Sequence, residues 1–250
     1  MLLQNIDDSE VVDLHVHVGQ WNDSYFVPLD LARQLLDEEG IYGIGISSLS
    51  ACKNTYNMNE IIEEIKPLLT RYPGRIFHWL WLHPMAVPKN LHKATYGCPV
   101  HGLKLHPYAQ DWNEKAEALR LAFVLAQRER LPMLIHTGND LCCEAGAFEE
   151  FICEFQDVDV VLAHARPIEQ ALQLAMEYEN VWFDTAFVSR GSLIHAVDAG
   201  LISRFLIGSD FPITKHYGEK KYSDSYKNFK GILVNNIVSA TKAFFDRYNK

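Results

Sequence analysis

"VVDLHVHV" (11–18) reads as a buried β-strand with two residues out of place. Val and Leu fill its alternate positions, yet His15 and His17 stand one residue apart. Alternation puts both imidazoles on one face with Asp13, and Leu14, Val16 and Val18 on the other. Two buried imidazoles side by side have to be hydrogen-bonded, protonated or bound to something.

The same kind of run returns along the chain. It is followed by "YGIGISSL" (42–49), "RIFHWLWLH" (75–83), "VHGLKLH" (100–106), "PMLIH" (132–136), "DVVLAH" (159–164), "NVWFDTA" (180–186) and "RFLIGSD" (204–210). Helix-like segments lie between them. "PLDLARQLLDEEG" (28–40) has Pro28 at its start and Gly40 at its end, as helices prefer. "NMNEIIEEIKPLLTRYPG" (57–74) carries Pro67, which is expected to kink or split it. The segments 113–130, 144–156 and 166–179 have apolar residues at helical spacing, and 230–248 reads as a closing helix. Eight strand-like runs alternating with helices predict one (β/α)8 TIM barrel over residues 1–250, a single domain of the α/β class. An open doubly wound sheet is the alternative, but no glycine-rich nucleotide turn follows the first run.

Composition narrows the function. The 250 residues are 48% hydrophobic, enough for a large core, and the formal net charge is −9. An acidic chain without a basic run argues against nucleic acid as a partner. No stretch reaches the roughly 18 apolar residues of a membrane span. "MLLQNIDDSE" (1–10) has neither the basic start nor the apolar centre of a signal peptide. The five cysteines are odd in number and lack C-x-x-C spacing, as expected of reduced thiols in a cytoplasmic protein. The adjacent pair Cys142 and Cys143 could bind a soft metal.

The polar residues gather at the C-terminal ends of the runs. By alternation Lys104 and His106 share a face in the fourth run, Leu134 and His136 in the fifth, Val160, Leu162 and His164 in the sixth, and Leu206, Gly208 and Asp210 in the eighth. If these faces point inward, they meet at the top of the barrel, where barrel enzymes work. His15, His17, His136, His164 and Asp210 then offer the imidazole nitrogens and carboxylate oxygen that a divalent cation accepts, zinc foremost. Two residues along a strand span about 6–7 Å, a gap two imidazole rings can close onto one ion. Taken singly, His83, His101 and His195 read as structural histidines.

As a set, these motifs resemble the amidohydrolase superfamily of metal-dependent (β/α)8 barrels. "DLHVHVG" is similar to its first-strand His-x-His, "PMLIHTG" and "VVLAHAR" to its fifth- and sixth-strand histidines, and "IGSDFP" to its eighth-strand aspartate. "GLKLHP" and "GSDFP" resemble the amidohydrolase-related (amidohydrolase-2-like) subgroup of small-molecule hydrolases, lactonases and non-oxidative decarboxylases. The resemblance implies that His15, His17, His136, His164 and Asp210 form the metal site, with Asp210 also the proton acceptor and donor. The TatD-like nucleases match in size but use an acidic residue where this chain has Lys104, which lowers the case for DNA hydrolysis.

Lys104 divides the readings. In binuclear members a fourth-strand lysine, carboxylated by CO2, bridges two metals. The preferred alternative is one metal, with unmodified Lys104 holding substrate. An ammonium near a cation must be deprotonated or paired with an acid or a substrate anion. His106, Tyr108, His83 and Arg166 are the other candidate substrate contacts, with Arg190 a further carboxylate binder; ordinary loop ion pairs are the plain alternative for the arginines. Asp184 and Thr185 end the seventh run, and alternation admits only one of them. Trp79 and Trp81 read as barrel filling.

The expected reaction is hydrolysis of a small amide, lactone or ester. Water activated by one or two divalent ions attacks the carbonyl, Asp210 is general base and then acid, and His164 or the metal polarises the carbonyl oxygen. A metal-dependent decarboxylase of a small, even aromatic, acid is the second reading, with "SYFVPLD" (24–30) as apolar closure. A non-catalytic metal-binding barrel is the third, disfavoured because buried polar groups without a ligand are costly. "TKHYGEKKYSDSYKN" (214–228) reads as a lid, with Lys215, His216 and Tyr217 facing substrate, or as a plain loop. A helical outer ring could build a homo-oligomer.

Overall fold

The computed structural model describes residues 11–52, 56–112, 116–217, 222 and 234–249. In chain order the strands are β1 (Val12–Asn22), β2 (Tyr25–Val27), β3 (Gly43–Ser48), β4 (Ile76–Trp81), β5 (Gly102–Leu105), β6 (Met133–His136), β7 (Val160–Ala163), β8 (Val181–Asp184) and β9 (Phe205–Leu206). The helices are α1 (Asp30–Arg33), α2 (Met58–Arg71), α3 (Leu91–Ala94), α4 (Pro107–Gln110), α5 (Ala116–Glu129), α6 (Glu149–Glu154), α7 (Ile168–Glu177), α8 (Arg190–Asp198) and α9 (Val234–Tyr248).

The sheet runs β2-β1-β3-β4-β5-β6-β7-β8-β9, and every neighbouring pair is parallel except β1 with β2. The chain past β9 returns to β1 and closes the ring. Leu14 N–H donates to the Ile207 carbonyl (2.8 Å), Asp210 N–H to that of His15 (2.8 Å) and His17 N–H to that of Phe211 (2.9 Å). The fold is therefore the expected barrel of eight parallel strands, with β2 added antiparallel against the protruding end of β1. Sequence alone did not show β2, because "SYFVPLD" has too few residues for a visible alternation.

The floor of the barrel is apolar. Val12, Leu14, Phe77, Trp79, Leu134, Val161, Ala163 and Leu206 pack together at alternate strand positions, and Phe244 and Phe245 of α9 close them off from below. A side chain on Gly102 would put its Cβ 2.3 Å from the Trp79 ring, so only glycine leaves room for that indole. Outside, a larger core joins the opposite strand faces to the helices.

Two faces are corrected. β1 and β3 lose register between Asp13 and Val16, the mark of a β-bulge. Below the bulge Val12 and Leu14 point inward; above it His15 and His17 do, and Asp13 lies on the opposite side from Leu14. In β7 Val161 and Ala163 face the interior while Val160 and Leu162 face the helices. His164 nevertheless turns inward, because its backbone takes the left-handed conformation (φ +71°).

Among the helices, α2 runs unbroken through Pro67, so the expected split does not occur. Pro67 and Glu63, whose carbonyl loses its partner, are both exposed to water. Helix α8, begun by Ser189 accepting from Ser192 N–H (3.0 Å), lies in a stretch with no helical reading in the sequence. No helix among the described residues is long and apolar enough to cross a membrane.

Candidate metal centre and active site

Above the apolar floor the ring is polar. His15 Nε2 and His17 Nε2 lie 3.2 and 2.7 Å from the same oxygen, Asp210 Oδ1. The ligand atoms of these three residues all fall within 4.8 Å of one another. Their other nitrogens are occupied. His15 Nδ1–H donates to Asp184 Oδ2 at 2.6 Å, and His17 Nδ1 pairs with Ser47 Oγ at 2.9 Å. Such outer partners fix the tautomer and turn Nε2 toward a common point, the usual arrangement around metal-binding histidines. Gly208 makes this convergence fit, since a Cβ there would sit 2.9 Å from both His15 Cβ and Asp184 Cβ.

The remaining predicted ligands stand beside this trio. His164 Nδ1 faces the Ala186 carbonyl (3.2 Å), and its Nε2 meets His136 Nδ1 at 3.2 Å. The His164 ring stacks on that of His15 with centroids 5.5 Å apart. His15, His164 and Asp184 also form a compact group, but there Asp184 already accepts from His15 and from the His164 backbone N–H (2.8 Å). The group around Asp210 is therefore the better cation seat.

Electrostatics agree with that role. Burial holds His15, His106 and His136 well below the ordinary imidazole range, with Lys104 adding to the effect at His15 and His106, and burial lowers His164 as well. Neutral imidazoles are the form that binds metal. Burial would raise the Asp210 carboxyl, yet His15, His17 and His164 together outweigh it and hold Asp210 well below the usual carboxylate range. Asp184, by contrast, is pushed up to about 6 by burial, against the pull of His164. The donor set of neutral nitrogens and one ionised carboxylate suits a divalent cation.

Lys104 is fully buried, and its Nζ lies 2.8 Å from His15 Nε2. Burial lowers it to about 8, with Asp210 and Asp184 resisting. The lysine is thus in the centre of the site and not on the surface.

A cavity of about 790 Å³ opens above these groups. His106 forms part of its wall, stacked between Trp81 (centroids 5.6 Å, planes 6° apart) and His136 (3.8 Å, 13°). Its Nδ1 accepts from Ala109 N–H (3.3 Å) and caps α4. Arg166, half-buried on the wall, lies 5.7 Å over the Phe187 ring. Tyr108 is at the mouth, mostly exposed. His83 does not line the cavity; it accepts from Met85 N–H at 3.2 Å and starts the turn after β4. Arg190 opens α8 and is not among the residues that line the cavity, and His195 is exposed on the same helix. His101 is structural, accepting from His78 N–H at 2.9 Å. Within 214–228 only 214–217 and 222 are described, and the side chains of His216 and Tyr217 lie outside the described residues.

Three contributors gain roles that the sequence left open, misread or did not signal. Asp184 is the inward member of its pair, while Thr185 Oγ1 donates to the Gly208 carbonyl (3.1 Å). Its signal is its place at a strand end. Ser47 had no distinguishing signal in "GISS". Trp81 is not simple filling: it lines the cavity, its ring 5.7 Å from His17 and 5.6 Å from Lys104 Nζ.

Comparison with known proteins converges on this picture. No curated protein sequence matches the chain. The structure is similar to a protein assigned as a 2-pyrone-4,6-dicarboxylic acid hydrolase from Acinetobacter baumannii, solved with citric acid bound (TM-score 0.69, 15% identity, covering 96% of this chain and 99% of that one). It is similar to amidohydrolase 2 from Bifidobacterium longum subsp. infantis (TM-score 0.63, 14% identity, 96% and 98% covered). It is also similar to 5-carboxyvanillate decarboxylase from Novosphingobium aromaticivorans, solved with manganese and a nitrobenzoic acid (TM-score 0.58, 12% identity, 86% and 79% covered). At these identities the likeness speaks for the fold. The amidohydrolase family model matches residues 68–236, more than half of the sequence. A closed eight-stranded barrel, a histidine–aspartate cluster at its C-terminal mouth and a match of that extent together place this chain in the amidohydrolase family of enzymes.

Proposed function

We propose that the protein is a metal-dependent hydrolase of a small amide, lactone or ester that carries a carboxylate. The observation behind this reading is the convergence of His15 Nε2, His17 Nε2 and Asp210 Oδ1 beneath a cavity of about 790 Å³. His15, His17 and Asp210 would hold a divalent cation, zinc foremost, with His164 and His136 next to them. When bound, that ion supplies Lewis-acid activation of a water and of the scissile carbonyl.

The chain's own groups supply the rest. Asp210, kept ionised by its imidazole neighbours, accepts the water proton and returns it to the leaving group. Asp184 and Ser47 hold His15 and His17 in one tautomer throughout. His164, at the edge of the trio, would polarise the carbonyl oxygen. Lys104, unmodified, and Arg166 face the substrate anion, with His106 and Tyr108 along the wall. Arg166 has no ion pair among the described residues, so a planar carboxylate on the substrate would complete it.

A non-oxidative decarboxylase is the second reading. It is favoured by the aromatic walls, where Trp21, Tyr25, Trp81 and Phe187 could sandwich a flat acid, with Arg166 to hold its carboxylate. We also infer that the protein works in the cytoplasm, where all five cysteines stay free, without nucleic acid or membrane partners; its helical ring leaves room for self-association.

The test is a panel of carboxylated amides, lactones, esters and aromatic acids, run beside metal analysis of wild type and Lys104→Ala. Hydrolysis with about one metal per chain, unchanged in the variant, is the expected result. CO2 release without hydrolysis would move the assignment to a decarboxylase. Two metals per chain, falling to one or none in the variant, would replace the single-ion site with a bridge built on carboxylated Lys104.

A further inference from the structure

The β1 bulge decides where His15 points, so what holds the bulge also holds the centre. Asp13 does this. It is wholly buried, on the side of β1 away from Leu14. Its Oδ1 accepts from His15 N–H and from Ser209 N–H, both at 3.0 Å. Its Oδ2 accepts from the Tyr222 hydroxyl at 2.8 Å. One carboxylate thus ties the bulged strand, the strand that closes the ring, and a tyrosine that arrives after β9.

The seam carries further links on the same two residues. Asp210 N–H donates to the His15 carbonyl at 2.8 Å, and Phe211 N–H to Ser209 Oγ at 3.1 Å. Tyr222 itself is 2% exposed and packs edge-on to Phe211, with centroids 5.4 Å apart. A bulge leaves the ladder locally unsatisfied and needs outside partners to persist. Here those partners lie next to the backbones of His15 and Asp210, two of the three residues that would hold the ion.

We propose that Tyr222, acting through Asp13, is a positioning residue that sets the β1 bulge and so aims His15 at Asp210. Tyr222 is not among the residues that line the cavity. Removing its hydroxyl loosens the carboxylate that pins His15 N–H and Ser209 N–H, and the imidazole of His15 then samples other directions. The functional consequence of this brace rests on the metal-centre reading given above; the geometric part does not.

The experiment compares Tyr222→Phe with Tyr248→Phe, a control at the other end of the barrel. There the Tyr248 hydroxyl donates to Asp159 Oδ2 at 2.6 Å, so each variant loses one hydroxyl-to-carboxylate bond. Zinc affinity of the metal-stripped full chain is measured by chelator competition. The His15 ring nitrogens are followed by NMR in the same samples. Tyr222→Phe is expected to weaken zinc binding about 10- to 100-fold, the usual effect of removing an outer partner of a metal site, and to shift the His15 resonances. Tyr248→Phe should do neither. Asp13→Asn should act in the same direction as Tyr222→Phe and more strongly. His15 resonances unmoved in Tyr222→Phe would overturn the brace. Wild-type protein that binds no zinc would instead sink the metal-centre reading, with the His15 signals still deciding the brace. Equal losses of zinc affinity in Tyr222→Phe and Tyr248→Phe would reduce Tyr222 to general stability and overturn its positioning role.

Discussion

The lower and upper halves of the barrel interior are built by the same strands and could hardly differ more. Below, Leu14, Trp79, Leu134, Val161 and Leu206 make a dry plug against α9. Above, one to four residues further along or just past the same strands, stand His15, Trp81, His136, His164 and Asp210. In β4 and β6 plain alternation carries the chain from plug to site. In β1 and β7 it does not, and a backbone irregularity intervenes: a bulge before His15, and a left-handed conformation at His164 (φ +71°). Each places a side chain where straight strand geometry would not. Strain of this kind is tolerated where surrounding structure fixes it, and it gathers at functional sites.

The sharpest way to break the contrast is to neutralise the top. Asp210→Asn is expected to lower turnover by about 10²- to 10⁴-fold, the range for loss of a general base, with little change in melting temperature. Large destabilisation with activity retained would make the upper half a structural metal site.

Next is the plug. Trp79→Ala should cost about 3–5 kcal/mol of stability by opening a cavity, and it strands the Leu14 carbonyl that Trp79 Nε1–H now reaches at 2.7 Å. Denaturant melts check this, and the protein that remains folded should keep its metal. If metal is lost in proportion to stability, floor and site are one cooperative unit instead of two.

The smallest effect concerns a buried imidazole in neither half. His78 lies on the outer face of β4, its Nδ1–H donating to the Pro99 carbonyl at 2.9 Å, and burial lowers it from 6.5 to about 4. The unfolded chain takes up this proton as pH falls through about 6.5, while the folded chain refuses it until about 4. Stability owed to neutral His78 is therefore complete above 6.5 and declines between 6.5 and 4, by about 3 kcal/mol in all. Against His78→Gln, wild type should lose that much relative stability over the window and none above pH 7. A difference that is flat with pH would mean His78 is already protonated, or solvated, in the fold.

Much of this was legible beforehand because it rests on local pattern. Eight apolar runs with polar ends, Gly40 closing the first helical segment and His-x-His in the first strand are features of neighbouring residues. The missing parts are contacts across the ring. Asp184 earns its role from His15, 169 residues away, and Ser47 from His17, 30 away. Alternation also misassigned Asp13 and the β7 face, because it assumes an unbroken pleat: a bulge reverses the faces of β1 beyond it, and the left-handed backbone of His164 turns that side chain against the alternation of β7.

By itself, then, the sequence determined the barrel, the top as the place for chemistry, and which residue types gather there. Periodicity and composition suffice for those, since they express which surfaces must be buried. Which of those residues meet came from the closed fold. It put His15 and His17 on Asp210, stood His136 against His164, and left His83 outside the cavity. The reason is that convergence depends on where the closing strand docks and on a bulge held by Asp13, Ser209 and Tyr222, groups that share no local pattern.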